Sequence, residues 1–176
     1  MATSAQLAFW QSVAPLAVSV AAQVPGLYPQ TLLVQWGDET GYRTAGVPGY
    51  QNNLAGISPG GSLAAYRSRA AFGRAYIVTI LSPLYGAVRS AGSVVAQLYA
   101  LGRSPWASGH YAVGGVDGQA LVDIYQQNRG LLDSLAGSIP VTPPGGGPAI
   151  AIPTGVPVAV VAVPIGILLV SDLRRL

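Results

Sequence analysis

Apolar residues in the first part of the chain follow helical spacing: Leu7, Phe9, Val13, Leu16, Val20 and Val24. The pattern predicts a first core helix from Ser4 to Val24. Pro15 should kink or break it, because proline removes an amide donor and crowds the preceding turn. Pro29 and Gln30 open a second helix, Thr31 to about Asp38, that ends near Gly41. Residues 42–61 are rich in Gly, Pro and Asn and read as loop, with room for short strands. Helical patterns resume at Leu63 to Leu81, interrupted around Gly73, then at about Arg89 to Leu101 and Val116 to Leu135. No internal repeat is present.

After Asp133 the character changes. No ionisable side chain occurs until Asp172, and Gly137 to Pro148 contains the linker-like run VTPPGGGP. Ala149 to Val170 follows with nothing more polar than Thr154, closed by Ser171, Asp172 and the pair Arg174–Arg175. As a helix these residues would span about 33 Å, enough for a hydrocarbon core of roughly 30 Å. Three prolines, Pro153, Pro157 and Pro164, count against a straight helix, so a buried hydrophobic arm on a partner stays open beside a transmembrane helix. The expected organisation is a catalytic domain over residues 1–136, a linker over 137–148, and a hydrophobic C-terminal anchor over 149–176. Ser12 to Val24 also looks superficially like a secretory signal. No Lys or Arg precedes Arg43, however, so the positive leading region of such a signal is missing.

Composition narrows the function classes. Only 9% of the 176 residues are charged, against about 25% in an average soluble domain, and mean hydropathy is +0.45. A charged disordered chain, a coiled coil and a basic nucleic-acid binder are all disfavoured. Nine arginines face six acids, so the net charge of +3 is a weak footprint for DNA or RNA, and no nucleic-acid partner is expected. The absence of cysteine excludes disulfides, thiolate zinc sites and thiol nucleophiles. A single histidine, His110, leaves no histidine-rich metal site. Neither a cofactor nor a metal is expected.

The candidate chemistry lies in the stretch QWGDETGY. Glu39 is the only glutamate in the chain and sits at the C-terminal end of an apolar helix, beside Trp36 and Tyr42. A carboxylic acid shielded there would hold its proton near neutral pH and act as a general acid. Glycosidic cleavage needs such a donor, because the leaving sugar oxygen departs poorly as an anion. The plain alternative is that Glu39 caps a turn or pairs with Arg43.

The order of several short motifs resembles the lysozyme-like glucosaminidases of glycoside hydrolase family seventy-three. That family includes flagellar-rod peptidoglycan hydrolases, autolysin glucosaminidase domains and many phage lysins. Ala14-Pro15-Leu16-Ala17 resembles a proline-alanine step in the family's first helix. Thr31 to Tyr42, reading TLLVQWGDETGY, resembles the helix that carries its catalytic glutamate. Asn52-Asn53-Leu54-Ala55-Gly56-Ile57 matches its NNLfGI element, and Ala65-Tyr66-Arg67-Ser68 a following aYrS element. Trp106-Ala107-Ser108-Gly109-His110-Tyr111-Ala112 looks like a variant of its late YATD stretch. The resemblance runs from Phe9 to about Asn128, roughly two-thirds of the chain.

The resemblance implies a mostly α fold, α+β in the lysozyme-like manner, followed here by the hydrophobic C-terminal segment. It implies Glu39 as general acid and Tyr111 as a catalytic tyrosine that lines the cleft. Asn53, Tyr66 and Trp106 would be substrate-binding: Asn53 holding the loop or an N-acetyl group, Trp106 stacking on a sugar or closing the core, and Tyr66 serving the cleft or the core. Gln35 would pack between helix and cleft, and His110 would sit on the rim. Two departures stand out. No Asp or Glu lies between Glu39 and Asp117, so the loop lobe offers no second carboxylate, and Gly109 replaces the Asp of the YATD stretch. One-acid chemistry is therefore expected, by substrate-assisted attack of the N-acetyl group or by intramolecular attack that leaves an anhydro sugar. The expected role is peptidoglycan cleavage by a virion-associated lysin that opens a host wall. The expected partners are peptidoglycan and, through residues 149–176, an internal virion membrane or virion proteins; otherwise the enzyme is membrane-anchored and faces the wall. A structural protein that keeps the shell without catalysis, and a holin-like membrane-inserting protein, are the rivals.

Overall fold

The computed structural model describes residues 2–106 and 110–137. The expected linker and hydrophobic anchor, 138–176, and the Gly109 departure lie outside the described residues. Six α-helices and two short 3-10 turns account for the regular structure among them, so the fold is mostly helical. The single β feature described is one antiparallel bridge, Val113 to Val116. No strand appears in the 42–61 loop, where short strands had room to form.

Helix α1, Ser4–Ala21, begins with a reciprocal cap: Gln6 N–H donates to Thr3 Oγ1 at 3.2 Å, and Thr3 N–H donates to Gln6 Oε1 at 2.8 Å. It runs unbroken through Pro15 and stops at Ala21, three residues short of the predicted Val24. Proline costs one hydrogen bond there, while the same turns bury Val13, Ala14, Ala17 and Val18, and packing wins. Helix α2, Pro29–Thr40, opens on Pro29, where the missing amide proton would be unpaired anyway. Every residue from Thr31 to Gly37 is buried, because α1, α5 and α6 all pack against it. Truncating its fully buried Trp36, which meets Phe72 and Tyr76 edge-on, would cost about 3–5 kcal/mol.

Helix α3, Arg69–Leu81, starts six residues later than the predicted Leu63. Ala64 and Tyr66 instead donate their amides to the carbonyls of Ile57 and Gln51, which holds this stretch extended, and Ser68 then caps the helix. Gly73 does not interrupt α3. It lets the helix approach α1, where a Cβ would meet Leu16 Cδ1 at 3.0 Å and Val20 Cγ2 at 3.3 Å. The predicted Arg89–Leu101 helix is two elements, α4 (Gly86–Arg89) and α5 (Val94–Gly102), divided where Ser93 caps the second. Buried Gln97 of α5 ties α4 to the connection between α1 and α2. Its Nε2 donates to Gly26 O and Val88 O at 2.8 Å each, and its Oε1 accepts from Tyr28 N–H at 2.9 Å. Helix α6, Gln119–Gly137, breaks locally at Asn128 (φ −125°), whose Nδ2 donates to Ile124 O at 2.9 Å. No single helix among the described residues is long and apolar enough to cross a membrane.

Candidate active site

Helix α2 continues past Asp38, so Glu39 lies within its final turn. Gly41 ends the helix in the left-handed conformation (φ 57°), and Tyr42 follows it at φ 62°, donating its amide to Gly37 O at 2.9 Å. This reversal turns the Tyr42 ring edge-on to Phe9 and Trp10, with centroids 5.9 and 5.5 Å away. The 52–57 loop and Tyr111 lie against the carboxyl.

The loop is held from inside. Asn53 is fully buried: its Nδ2 donates to Ile57 O and Ala64 O at 2.9 Å each, and its Oδ1 accepts from Ile57 N–H at 2.9 Å. Asn52 adopts φ 59° and donates to Tyr66 O at 2.8 Å. Trp106 Nε1 donates to Ala55 O at 2.9 Å, while its ring packs on Tyr76 and Tyr85. The next residue, Gly56 (φ 63°), lies against Glu39: a Cβ there would sit 3.1 Å from Oε2. Only glycine meets both conditions without strain.

Tyr111 covers the other carboxyl oxygen. It is 0% exposed, and its phenol donates a short hydrogen bond to Glu39 Oε1 across 72 sequence positions. Burial pushes the Glu39 pKa from its ordinary 4.5 up to about 7; the Tyr111 hydrogen bond pulls it down, and the neighbouring Asp38 charge pushes it up. Burial also drives the Tyr111 pKa well above 10, helped by the charge of Glu39, so the phenol keeps its proton and remains a donor. Behind this pair, fully buried Gln35 sits one turn before Glu39 on α2, and its Oε1 accepts from Tyr76 O–H at 2.6 Å.

Of the residues singled out from sequence, Glu39 and Tyr111 come together directly. Asn53 has both amide protons committed to backbone, so its geometry serves the loop. Trp106 bridges loop and core with its indole N–H already used. Tyr66 is half-buried against Phe72, its hydroxyl buried and without a hydrogen-bond partner among the described residues. His110 is exposed, its ring 5.1 Å from that of Tyr111. Sequence reasoning did not single out Asn52, Gly56 or Tyr76. The first two carried a signal in the Asn-Asn and Ala-Gly steps of a loop, while Tyr76 reads as an ordinary core position.

No family model, no curated protein and no solved structure matches the chain. Among the described residues no group of His, Asp and Glu is arranged to hold a metal ion. Cavities of about 350 Å³, beside Tyr28, Tyr125 and Arg129, and about 260 Å³, within the 43–51 loop, hold neither Glu39 nor Tyr111. Glu39 as a residue is partly exposed.

Proposed function

We propose that the chain cleaves glycan strands of peptidoglycan, as an endo-β-N-acetylglucosaminidase or a lytic transglycosylase, with Glu39 as the general acid. One observation carries this reading: the only glutamate, at the end of the central helix, has its carboxyl shielded enough that its pKa is raised to about 7, and it accepts a hydrogen bond from a neutral donor, Tyr111. At neutral pH about half of such a group is protonated, which suits delivery of a proton to a sugar leaving oxygen. As the proton leaves, Tyr111 O–H stays in place to hold the new carboxylate.

The facing loop, residues 52–57, carries no acid. The positive carbon is then met from within the substrate, by the N-acetyl carbonyl oxygen or by a sugar hydroxyl that closes an anhydro ring. We read residues 1–136 as lysozyme-like, in keeping with the helical content and the motif order. The uncharged run of 149–176, ending in Arg174–Arg175, would seat the enzyme in a membrane or on virion proteins, for local opening of a host wall. The second reading, a structural protein with this shell, draws on one observation. Asn53 and Trp106 commit their polar groups inside the protein, leaving fewer side chains to grip a sugar.

Full-length chain and its Glu39→Gln variant, incubated with purified peptidoglycan and followed by mass spectrometry of soluble fragments, decide between them. Release by the wild type that is lost in the variant supports the enzyme, and the reducing end or anhydro end names the bond cut. Folded wild type that releases nothing from several wall types would favour the structural reading.

A further inference from the structure

A buried polar group one turn from the acid that the proposed mechanism does not use is Gln35. It is 0% exposed, and a primary amide buried so completely normally has both ends paired. Its Oε1 is paired, with Tyr76 O–H at 2.6 Å. Its Nε2 has no hydrogen-bond partner among the described residues. In the structure Tyr76 O–H donates to the amide oxygen, so the nitrogen, with its two protons, faces away from Tyr76.

Gln35 also acts on Tyr111, the donor to Glu39. Nε2 is near enough to hold the Tyr111 pKa down, although it falls short of hydrogen-bond geometry. Tyr111 directs its own O–H at Glu39, so its oxygen has lone pairs to offer. Tyr76 thus donates to Gln35 and Tyr111 to Glu39, with the Gln35 amide nitrogen between the two bonds. Donation into a phenol oxygen strengthens the bond that the phenol itself donates.

We propose that Gln35 is a positioning residue for the acid: oriented by Tyr76, its amide directs the Tyr111 proton onto Glu39 and so sets the pH at which Glu39 releases its own. This rests on the reading of Glu39 as general acid, and it names what regulates that site. Tyr111 and the neighbouring Asp38 act on the Glu39 carboxyl, whose charge in turn acts on Tyr76, and Gly56 of the 52–57 loop lies against it. Gln35→Met removes the donor at nearly constant volume. Tyr76→Phe leaves the amide free to turn over, so that its oxygen competes for the Tyr111 proton. Both changes weaken the bond to Glu39, and both therefore raise its pKa.

Because the chain has one glutamate, carbon-13 labelling of the glutamate carboxyl follows Glu39 alone as an acid, whether or not the protein is active. The experiment titrates that resonance in full-length wild type, Gln35→Met, Tyr76→Phe and the double variant, with the pH profile of glycan release measured beside it. The expected result is an upward shift of about 0.5 to 1 unit in each single variant, with the double shifting no further than Gln35→Met. The basic limb of activity should move by the same amount. A Gln35→Met protein with a native circular dichroism spectrum and the wild-type titration would overturn the proposal, as would shifts that add in the double. If Gln35→Met does not fold, an unshifted Tyr76→Phe overturns it equally. Shifts as expected without any glycan release would keep the positioning role of Gln35 and remove the peptidoglycan reading instead.

Discussion

Two carboxylates in this protein occupy contrasting surroundings. Asp133, on α6, is partly exposed and meets three donors: Gln30 Nε2 at 3.1 Å, Tyr125 O–H at 3.1 Å and the Arg129 guanidinium at 3.4 Å. Glu39 meets the neutral Tyr111 phenol on one oxygen and the bare backbone of Gly56 against the other. The first arrangement ties α6 to α2 and to itself. The second removes water from a carboxyl without supplying a cation, which is how a protein makes an acid that keeps its proton near neutrality. Chemistry is therefore expected at the poorly compensated carboxyl and not at the well-compensated one.

The largest test of that contrast is activity. Glu39→Gln should lower glycan release by about 100- to 10,000-fold, the usual worth of a general acid, whereas Asp133→Asn should leave it unchanged. Equal losses in the two variants would break the comparison. Stability against pH comes next. The folded Glu39 carboxyl binds its proton more tightly than the unfolded one, about 7 against 4.5. Its contribution is fully present below about pH 4.5 and is lost as pH rises through 7, up to about 3 kcal/mol in all. Denaturant unfolding from pH 4.5 to 7.5 should show this fall in the wild type and a flatter profile in Glu39→Gln.

Smaller effects sharpen the picture. Gly56→Ala forces a side chain into a left-handed backbone beside Oε2, costing about 1–2 kcal/mol of stability. Because the strain is released against the carboxyl, activity should fall further than that cost alone would explain, as read from kcat in the folded fraction. Asp133→Asn loses an ion pair whose side chains are 66% and 40% exposed, so thermal unfolding should move by no more than about 1 kcal/mol.

How much of this was legible along the chain varies by element. Helices α1 and α2 follow from apolar spacing, with a proline at the start of α2 and a glycine just past its end. Pro15 looked like a break, yet α1 runs through it, because the loss of one hydrogen bond is smaller than the burial either side. The pattern beginning at Leu63 looked helical, but its backbone amides are taken by Ile57 and Gln51, which lie in a loop that local propensity does not see. Asn53 and Trp106 were legible as polar and aromatic groups near the acid. Their hydrogen bonds to the 55–64 backbone, which turn them toward the loop, were not.

Composition and local pattern establish that there is one glutamate, that it ends an apolar helix, and that no other acid follows for the next 77 residues. These are matters of composition and of 3.6-residue periodicity, which act over one or two turns of chain. Long-range packing brings Tyr111 to Glu39 across 72 positions, Trp106 to Ala55 across 51, and Tyr76 to Gln35 across 41. Those bonds are set by how α2 is enclosed, since a buried donor takes whichever acceptor the packing leaves within reach.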